Sequence, residues 1–234
     1  MSSIKLIITG GVGVGKTTMI TNICKALNEQ HIRYRLIPEF IDGDENGYTM
    51  LNSFINHKIT AYEFQKYILS YFDIYLSKID FDNTDVLVFE RLPDDSITCF
   101  VNIDVKHNLI TQEEFKELHN ICNYINKKYK LPSYFIENNN CDIIFCKTDD
   151  INKNTKFILN EFNKAINKNR NLLVGLYNTN EECLKRVHIR NRESEVNTYN
   201  IDTIDVFNKH YLRIYEILKQ NRCLEFSMLP ELIY

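Results

Sequence analysis

A glycine-rich turn near the start of this 234-residue chain constrains its fold more than any other feature. Residues 10–17 read GGVGVGKT and fit the pattern GxxxxGK[ST], whose backbone wraps around phosphate oxygens. A β-branched apolar run at 4–9 precedes the turn and a helical pattern at 16–30 follows it, as this loop requires. The turn therefore predicts nucleoside triphosphate binding. It does not fix the reaction, because GTPases, ATPases and kinases share it.

The residue types in the loop suit phosphate chemistry. Gly10, Gly13 and Gly15 let backbone N–H groups face the phosphates without Cβ clashes. Lys16 is expected to reach the β- and γ-phosphate oxygens, and the Thr17 hydroxyl to ligate Mg²⁺. We therefore expect ATP or another NTP together with Mg²⁺. The predicted ATP-binding residues are Gly10, Gly11, Val12, Gly13, Val14, Gly15, Lys16, Thr17, Thr18, Arg186 and Arg190.

Strand and helix patterns alternate along the chain. This alternation predicts an α/β, three-layer architecture with a parallel, doubly wound sheet of about five strands flanked by helices, in one domain over 1–234. The predicted strands are 4–9, 34–37, 86–89, 172–176 and 223–226, and the predicted helices are 16–30, 61–78, 112–129, 181–189 and 206–219. The segment 130–170 holds a strand-like 141–146 and a helix-like 156–168. It forms either an extra strand and helix or a partly mobile insertion.

Charged residues follow the second and third predicted strands, at the sheet edge where ligands bind in such folds. Glu39 could accept the proton of an attacking hydroxyl; the alternatives are a surface carboxylate or a partner of Mg²⁺. Glu90 could organise the metal, while Arg91 could hold an acceptor hydroxyl or neutralise charge on the transferred group. A structural salt bridge is the alternative for this pair.

Two further features point to a nucleotide site. The amide of Gln65 can pair bidentately with a nucleobase edge, although a lone Gln is more often a solvated helix residue. Arg186 and Arg190 share one helix face, and Arg192 follows. These arginines predict a lid over about 184–198 that closes on the triphosphate; a charged, solvated helix end is the alternative.

Taken in order, these motifs resemble the deoxyribonucleoside kinase family. After the glycine turn come Pro38-Glu39, Phe64-Gln65-x-Tyr67, Glu90-Arg91 and a lid spaced Arg-x₃-Arg-x-Arg-x₂-Glu. The resemblance implies catalytic residues Glu39, Arg91, Arg190 and Arg192, with Thr17 and Glu90 at Mg²⁺. It implies substrate-binding residues Glu39, Phe54, Phe64, Gln65, Arg91, Phe100 and Glu195. It also implies a homodimer formed through helices such as 61–78 and 112–129, although an apolar stripe there is equally a core face.

The chain also departs from that family pattern. Phe40 stands in place of a second proline, and the chain contains no Trp. Ser96-Ile97 falls where the family has an Asp-Arg pair, with Asp94-Asp95 only nearby. Phe54 lies where a tyrosine commonly meets the sugar 3′-hydroxyl. The catalytic centre is therefore expected to be retained and base and sugar recognition to be altered.

Composition limits the partners. With a net charge of −3 and a pI of about 6.1, no global basic field indicates a long nucleic acid. No apolar run is long enough to cross a bilayer. The first strand begins so early that we expect no signal peptide, and the seven cysteines form no CxxC pair. We expect a cytoplasmic protein, in the host cytoplasm if the chain is viral.

Three functions are compatible with these features. The first is Mg²⁺-dependent transfer of the ATP γ-phosphoryl group to the 5′-hydroxyl of a deoxyribonucleoside in nucleotide salvage, with Glu39 as general base. The second is a deoxynucleoside monophosphate kinase of the thymidylate type, which needs an additional cation for the phosphate of its acceptor. The third is a non-catalytic nucleotide-binding regulator or NTPase switch, which needs neither Glu39 nor Gln65 in register with the loop.

Overall fold

Five parallel strands form one sheet at the centre of the molecule. The structure is a computed structural model that describes residues 3–136, 140–221, 223–225 and 229. Within these residues the strand order is β2-β3-β1-β5-β4. The strands are β1 (Ile4–Gly10), β2 (Tyr34–Ile37), β3 (Val86–Glu90), β4 (Cys141–Lys147) and β5 (Asn171–Tyr177).

Helices connect and cover these strands. The described helices are α1 (Lys16–Glu29), α2 (Phe40–Gly43), α3 (Gly47–Ile55), α4 (Ala61–Ser77), α5 (Pro93–Asp95), α6 (Asn102–Lys106), α7 (Gln112–Tyr129), α8 (Ile151–Asn167), α9 (Asn180–Arg190), α10 (Glu193–Thr198) and α11 (Ile201–Asn221). A π-helical stretch, Ser96–Val101, joins α5 to α6. None of these helices is both long enough and apolar enough to span a bilayer.

The direction of each crossover decides which face a helix covers. The β1-to-β2 and β4-to-β5 connections run the same way across the sheet, so right-handed crossovers place α1 and α8 on one face. The β2-to-β3 and β3-to-β4 connections run the opposite way and place α4 and α7 on the other. Accordingly, α1 packs on α8, and α4 packs on α7. The predicted three-layer α/β architecture is confirmed.

Because both faces are covered, the strands are almost continuously apolar. Leu6 and Ile8 of β1 pack into the α1/α8 layer, whereas Ile7 between them packs into the α4/α7 layer. Val88 and Phe89 of β3 divide in the same way. Because successive side chains of a strand point to opposite faces of the sheet, each face packs into its own hydrophobic core.

The segment 130–170 contributes an edge strand and a helix. Strand β4 pairs with β5 in register from Cys141 opposite Asn171, and α8 packs on α1. The prediction of a strand at 223–226 is wrong over 223–225, and residue 226 lies outside the described residues. The place beside β5 is already taken by β4. The Leu224 amide instead donates to the carbonyl of Tyr134, so this stretch binds a loop.

Candidate active site

The glycine turn forms a closed loop at the carboxyl end of β1. Gly13 has φ 76°, and a Cβ there would lie 2.3 Å from the carbonyl oxygen of Cys183. Gly15 has φ 100°, so both positions favour glycine. The Nζ atom of Lys16 folds back over the loop and donates to the Gly11 carbonyl at 2.9 Å. The loop is therefore fixed by its own backbone and by α9, ready to direct N–H groups outward.

Arg186 of the predicted lid supports this loop from outside. Its Nη1 donates to the Val14 carbonyl at 2.9 Å, and its Nη2 donates to the Thr148 carbonyl at 2.8 Å. Glu182, one turn earlier on α9, accepts from its Nε at 2.9 Å. The side chain thus ties α9 to the phosphate loop and to the end of β4. Its assignment as an ATP ligand stays a prediction.

Glu39 and Arg91 meet at the mouth of the loop. The Arg91 Nη1 donates to Glu39 Oε1, and its Nη2 donates to the Gly10 carbonyl at 3.2 Å. Arg91, the residue directly after β3, has φ 67°, a backbone conformation that residues other than glycine rarely adopt. Its Nε is buried without a partner among the described residues. Residues just beyond the ends of β2 and β3 are thus joined across the loop.

Charge within this cluster sets the protonation of its members. Burial would raise the pKa of Glu39, but Arg91 and then Lys16 lower it below its ordinary value, so the carboxylate is ionised at neutral pH. Burial, reinforced by Arg91, lowers the pKa of Lys16 to about 8, although Glu39 and Glu90 oppose this effect. The cluster therefore holds an ionised acceptor for protons beside cations that can attract phosphate.

Thr17 and Glu90 offer oxygen ligands for a divalent cation. The Thr17 hydroxyl donates to Glu90 Oε1 at 3.1 Å, where α1 begins and β3 ends. Burial, together with the nearby Glu39, raises the pKa of Glu90. A carboxylate whose charged form is disfavoured in this way is stabilised by a bound cation. Among the described residues, no group of three or more His, Cys, Asp or Glu could hold a metal ion.

The predicted lid covers the site through ion pairs of its own. Arg190 of α9 pairs with the buried Glu195 of α10. Arg192 contacts Asp42 of α2 at 2.7 Å and Glu195 at 3.5 Å. The guanidinium groups thus link the lid to the helix after β2 and lie beside Glu39, whose pKa both lower.

One cavity of about 240 Å³ lies between the lid, the phosphate loop and the start of α4. Every predicted substrate-binding residue lines it, together with Val12, Gly13, Lys16, Glu90 and Arg190. Eight other predicted site residues do not line it: Gly10, Gly11, Val14, Gly15, Thr17, Thr18, Arg186 and Arg192. The cavity therefore joins the predicted acceptor residues to the phosphate loop.

Aromatic side chains form the walls of this cavity. Phe54 of α3 and Phe64 of α4 stack with ring centroids 4.6 Å apart and an interplanar angle of 6°. Phe100, in the π-helical stretch, lies under the guanidinium of Arg91, whose Cζ is 5.2 Å from the ring centroid. Such walls accept a flat, partly apolar ring.

Several lining residues were not found from the sequence. They include Asp104 of α6, Tyr199 between α10 and α11, and Thr203 and Phe207 of α11. Asp104 lies four residues after Phe100, and this helical spacing was the one available signal. Asp95 is buried and lines the cavity, whereas Asp94 does not line it and accepts from Ser133 and Asn126, each at 2.6 Å.

Comparison with known proteins agrees with this geometry. A family model described as deoxynucleoside kinase matches residues 6–137, more than half of the chain. The match covers the glycine turn, Glu39, Gln65 and the Glu90-Arg91 pair, but not the lid. None of the curated proteins compared with the chain matches it significantly. The chain belongs to the deoxynucleoside kinase family, and it is a phosphotransferase that acts on nucleosides.

Proposed function

We propose that this chain transfers the γ-phosphoryl group of ATP to the 5′-hydroxyl of a deoxyribonucleoside in a Mg²⁺-dependent reaction, with Glu39 as general base. One observation carries the proposal. Glu39, Lys16 and Arg190 line the same cavity, so a proton acceptor and the phosphate loop converge on one place. A surface carboxylate or a loop that served only as an NTPase switch would not require this convergence.

In the reaction, the 5′-oxygen forms a bond to the γ-phosphorus while the bond from that phosphorus to the bridging oxygen breaks. The departing ADP keeps the bonding electron pair, and Glu39 takes the hydroxyl proton. Because Arg91 lowers its pKa, Glu39 is ionised and ready to accept that proton. Phosphoryl transfer leaves little covalent work to the protein, so aligning the two oxygens and stabilising spread charge are the main tasks.

The remaining residues have two tasks, which are to bind the phosphate donor ATP and to stabilise the charge on the transferred phosphoryl group. Lys16 would contact the transferred phosphate, and Thr17 with Glu90 would hold Mg²⁺, which supplies charge neutralisation when bound. Arg190 and Arg192 would close over the phosphates once these compete with Glu195 and Asp42 for the guanidinium groups. Before phosphate binds, the ion pairs with Glu195 and Asp42 hold both arginines beside Glu39.

Labelled ATP offered with each common deoxynucleoside, and separately with each monophosphate, tests the proposal. We expect label to appear in a nucleoside 5′-monophosphate. Label transfer only to monophosphates would favour the thymidylate-type alternative. Release of phosphate without any labelled acceptor would favour the NTPase switch and contradict the proposal.

We also propose that the chain is one domain and acts as a homodimer through α4 and α7. Ile74 of α4 is 56% exposed and Tyr124 of α7 is 58% exposed, so apolar side chains remain on the outer surface of this helix pair. Light scattering tests this assembly. A monomer mass at all concentrations would contradict it.

A further inference from the structure

The part of the cavity lined by Gln65 of α4 and Asp104 of α6, here named the inner end, contains a hydrogen-bond acceptor without a partner among the described residues. Gln65 is 2% exposed, near the start of α4, and its Oε1 has no hydrogen-bond partner among the described residues. A buried carbonyl oxygen is costly to leave unpaired, because it has lost water and gained nothing in exchange. Gln65 also lines the cavity, so a rotation of its buried amide would present this oxygen to a ligand N–H.

A carboxylate stands beside that acceptor. Asp104 of α6 lines the same cavity and is half-buried. Burial raises the pKa of Asp104 to about 7, and interaction with the Gln65 amide lowers it only in part. No charged side chain of the described residues contributes to this pKa, in contrast to Glu39. The inner end therefore presents a second acceptor without a protein cation to satisfy it.

The space before these two groups suits a nucleobase. Phe54, Phe64 and Phe100 line the cavity, and Glu39 faces the same cavity at the phosphate loop. Gln65 and Asp104 belong to α4 and α6, whereas Glu39 follows β2 beside the phosphate loop. A nucleoside with its 5′-hydroxyl at Glu39 would thus direct its base toward Gln65 and Asp104.

We infer that Asp104 and Gln65 together select nucleosides whose base bears an exocyclic amino group. The inference rests on the proposed nucleoside site. In its ionised form Asp104 is an acceptor beside Gln65, and a bound N–H donor favours that form. Two neighbouring acceptors require two N–H donors, and an amino group, alone or with an adjacent ring N–H, supplies them. Thymine offers a single N–H between two carbonyl oxygens, so a carbonyl would face the carboxylate. That mismatch leaves buried acceptors unpaired and disfavours thymidine.

Calorimetric binding and steady-state kinetics with deoxycytidine, deoxyadenosine, deoxyguanosine and thymidine test this assignment. The wild type is expected to prefer at least one amino-bearing nucleoside over thymidine by about 10- to 100-fold, the range for a hydrogen bond to a charged group. Asp104→Asn should reduce that ratio by about tenfold or more on the same ground. Asp82→Asn, which removes an exposed carboxylate, should leave it unchanged. Thermal unfolding verifies that each variant is folded.

The outcomes separate this inference from the proposed function. A wild type that prefers thymidine, or a ratio that Asp104→Asn does not change, overturns the base assignment while phosphorylation stands. Selective binding of amino-bearing nucleosides without any turnover supports the base assignment and overturns phosphoryl transfer. Absence of both binding and turnover overturns both.

Discussion

Replacing Asp104 by Asn should stabilise the protein at neutral and alkaline pH. The folded state raises the pKa of this carboxyl, so the folded protein binds its proton more tightly than the unfolded chain does. Its contribution is favourable below the ordinary pKa and is lost as pH rises through the folded value. Asn resembles the protonated side chain and does not titrate. The variant therefore avoids the loss that the wild type suffers.

The magnitude follows from the two pKa values. The ordinary pKa of 3.8 rises to about 7. Each pKa unit corresponds to about 1.4 kcal/mol, so the gain in free energy of unfolding is at most about 4 kcal/mol. Because water still reaches part of Asp104, we expect about 1–3 kcal/mol at pH 8. Below about pH 3, where the carboxyl is protonated in both states, the two proteins should be equally stable.

Denaturant unfolding of wild type and Asp104→Asn at several values between pH 4 and pH 8 measures this difference directly. The free energy of unfolding should diverge progressively over that range, with the variant the more stable. Asp82→Asn serves as the control for removing one negative charge. Equal stability at pH 8, or a variant that is weaker there, would refute the view that the cavity desolvates Asp104.

Two further substitutions probe the loop and the lid. Gly13→Ala places a Cβ 2.3 Å from the carbonyl oxygen of Cys183, at a residue with φ 76°. ATP binding, measured by calorimetry, should therefore be largely lost. Unchanged affinity would contradict the loop geometry. Arg192→Ala should lower kcat by about 10- to 100-fold through lost charge stabilisation. Asp42→Asn, which removes only a partly exposed ion pair, should change kcat less than about fivefold; equal losses in both variants would contradict the lid assignment.

The sequence was sufficient where signals are local. The glycine turn follows from its sequence motif. Apolar periodicity predicts the long helices and the four strands at 4–9, 34–37, 86–89 and 172–176, and the structure confirms them. Thr60 and Thr111 cap α4 and α7 with complete capping boxes, which fixes the starts of these helices. The convergence of Glu39 with Glu90-Arg91 follows because parallel strands end at one edge of the sheet.

Pairing between distant segments was not predictable in the same way. The runs 141–146 and 223–226 carry similar strand signals, and only one position was open beside β5. Register and occupancy of a sheet edge depend on long-range contacts, which one sequence does not encode locally. The short helices α2, α3 and α10 were missed because they carry few residues of periodic pattern.

Asp104 was missed for a different physical reason. Its sequence surroundings, Asn102 to Lys106, suggest a solvated helix end. Its position depends on the π-helical stretch Ser96–Val101, which shifts the helical phase and turns a following residue toward the cavity. Such stretches have no simple sequence pattern, so the position of Asp104 in the cavity could be recognised only from the structure.

Single-turnover phosphorylation of the preferred deoxynucleoside by Glu39→Gln, with ATP affinity measured on the same protein, tests whether this carboxylate is the general base. The rate should fall by about 10²- to 10⁴-fold, the range for a lost general base. ATP affinity should stay within about threefold of the wild type, because Lys16 and the loop are intact. Glu45→Gln, a nearby exposed position, should behave as the wild type does. An unchanged rate in Glu39→Gln would contradict the claim that the carboxylate beside the phosphate loop takes the nucleoside proton.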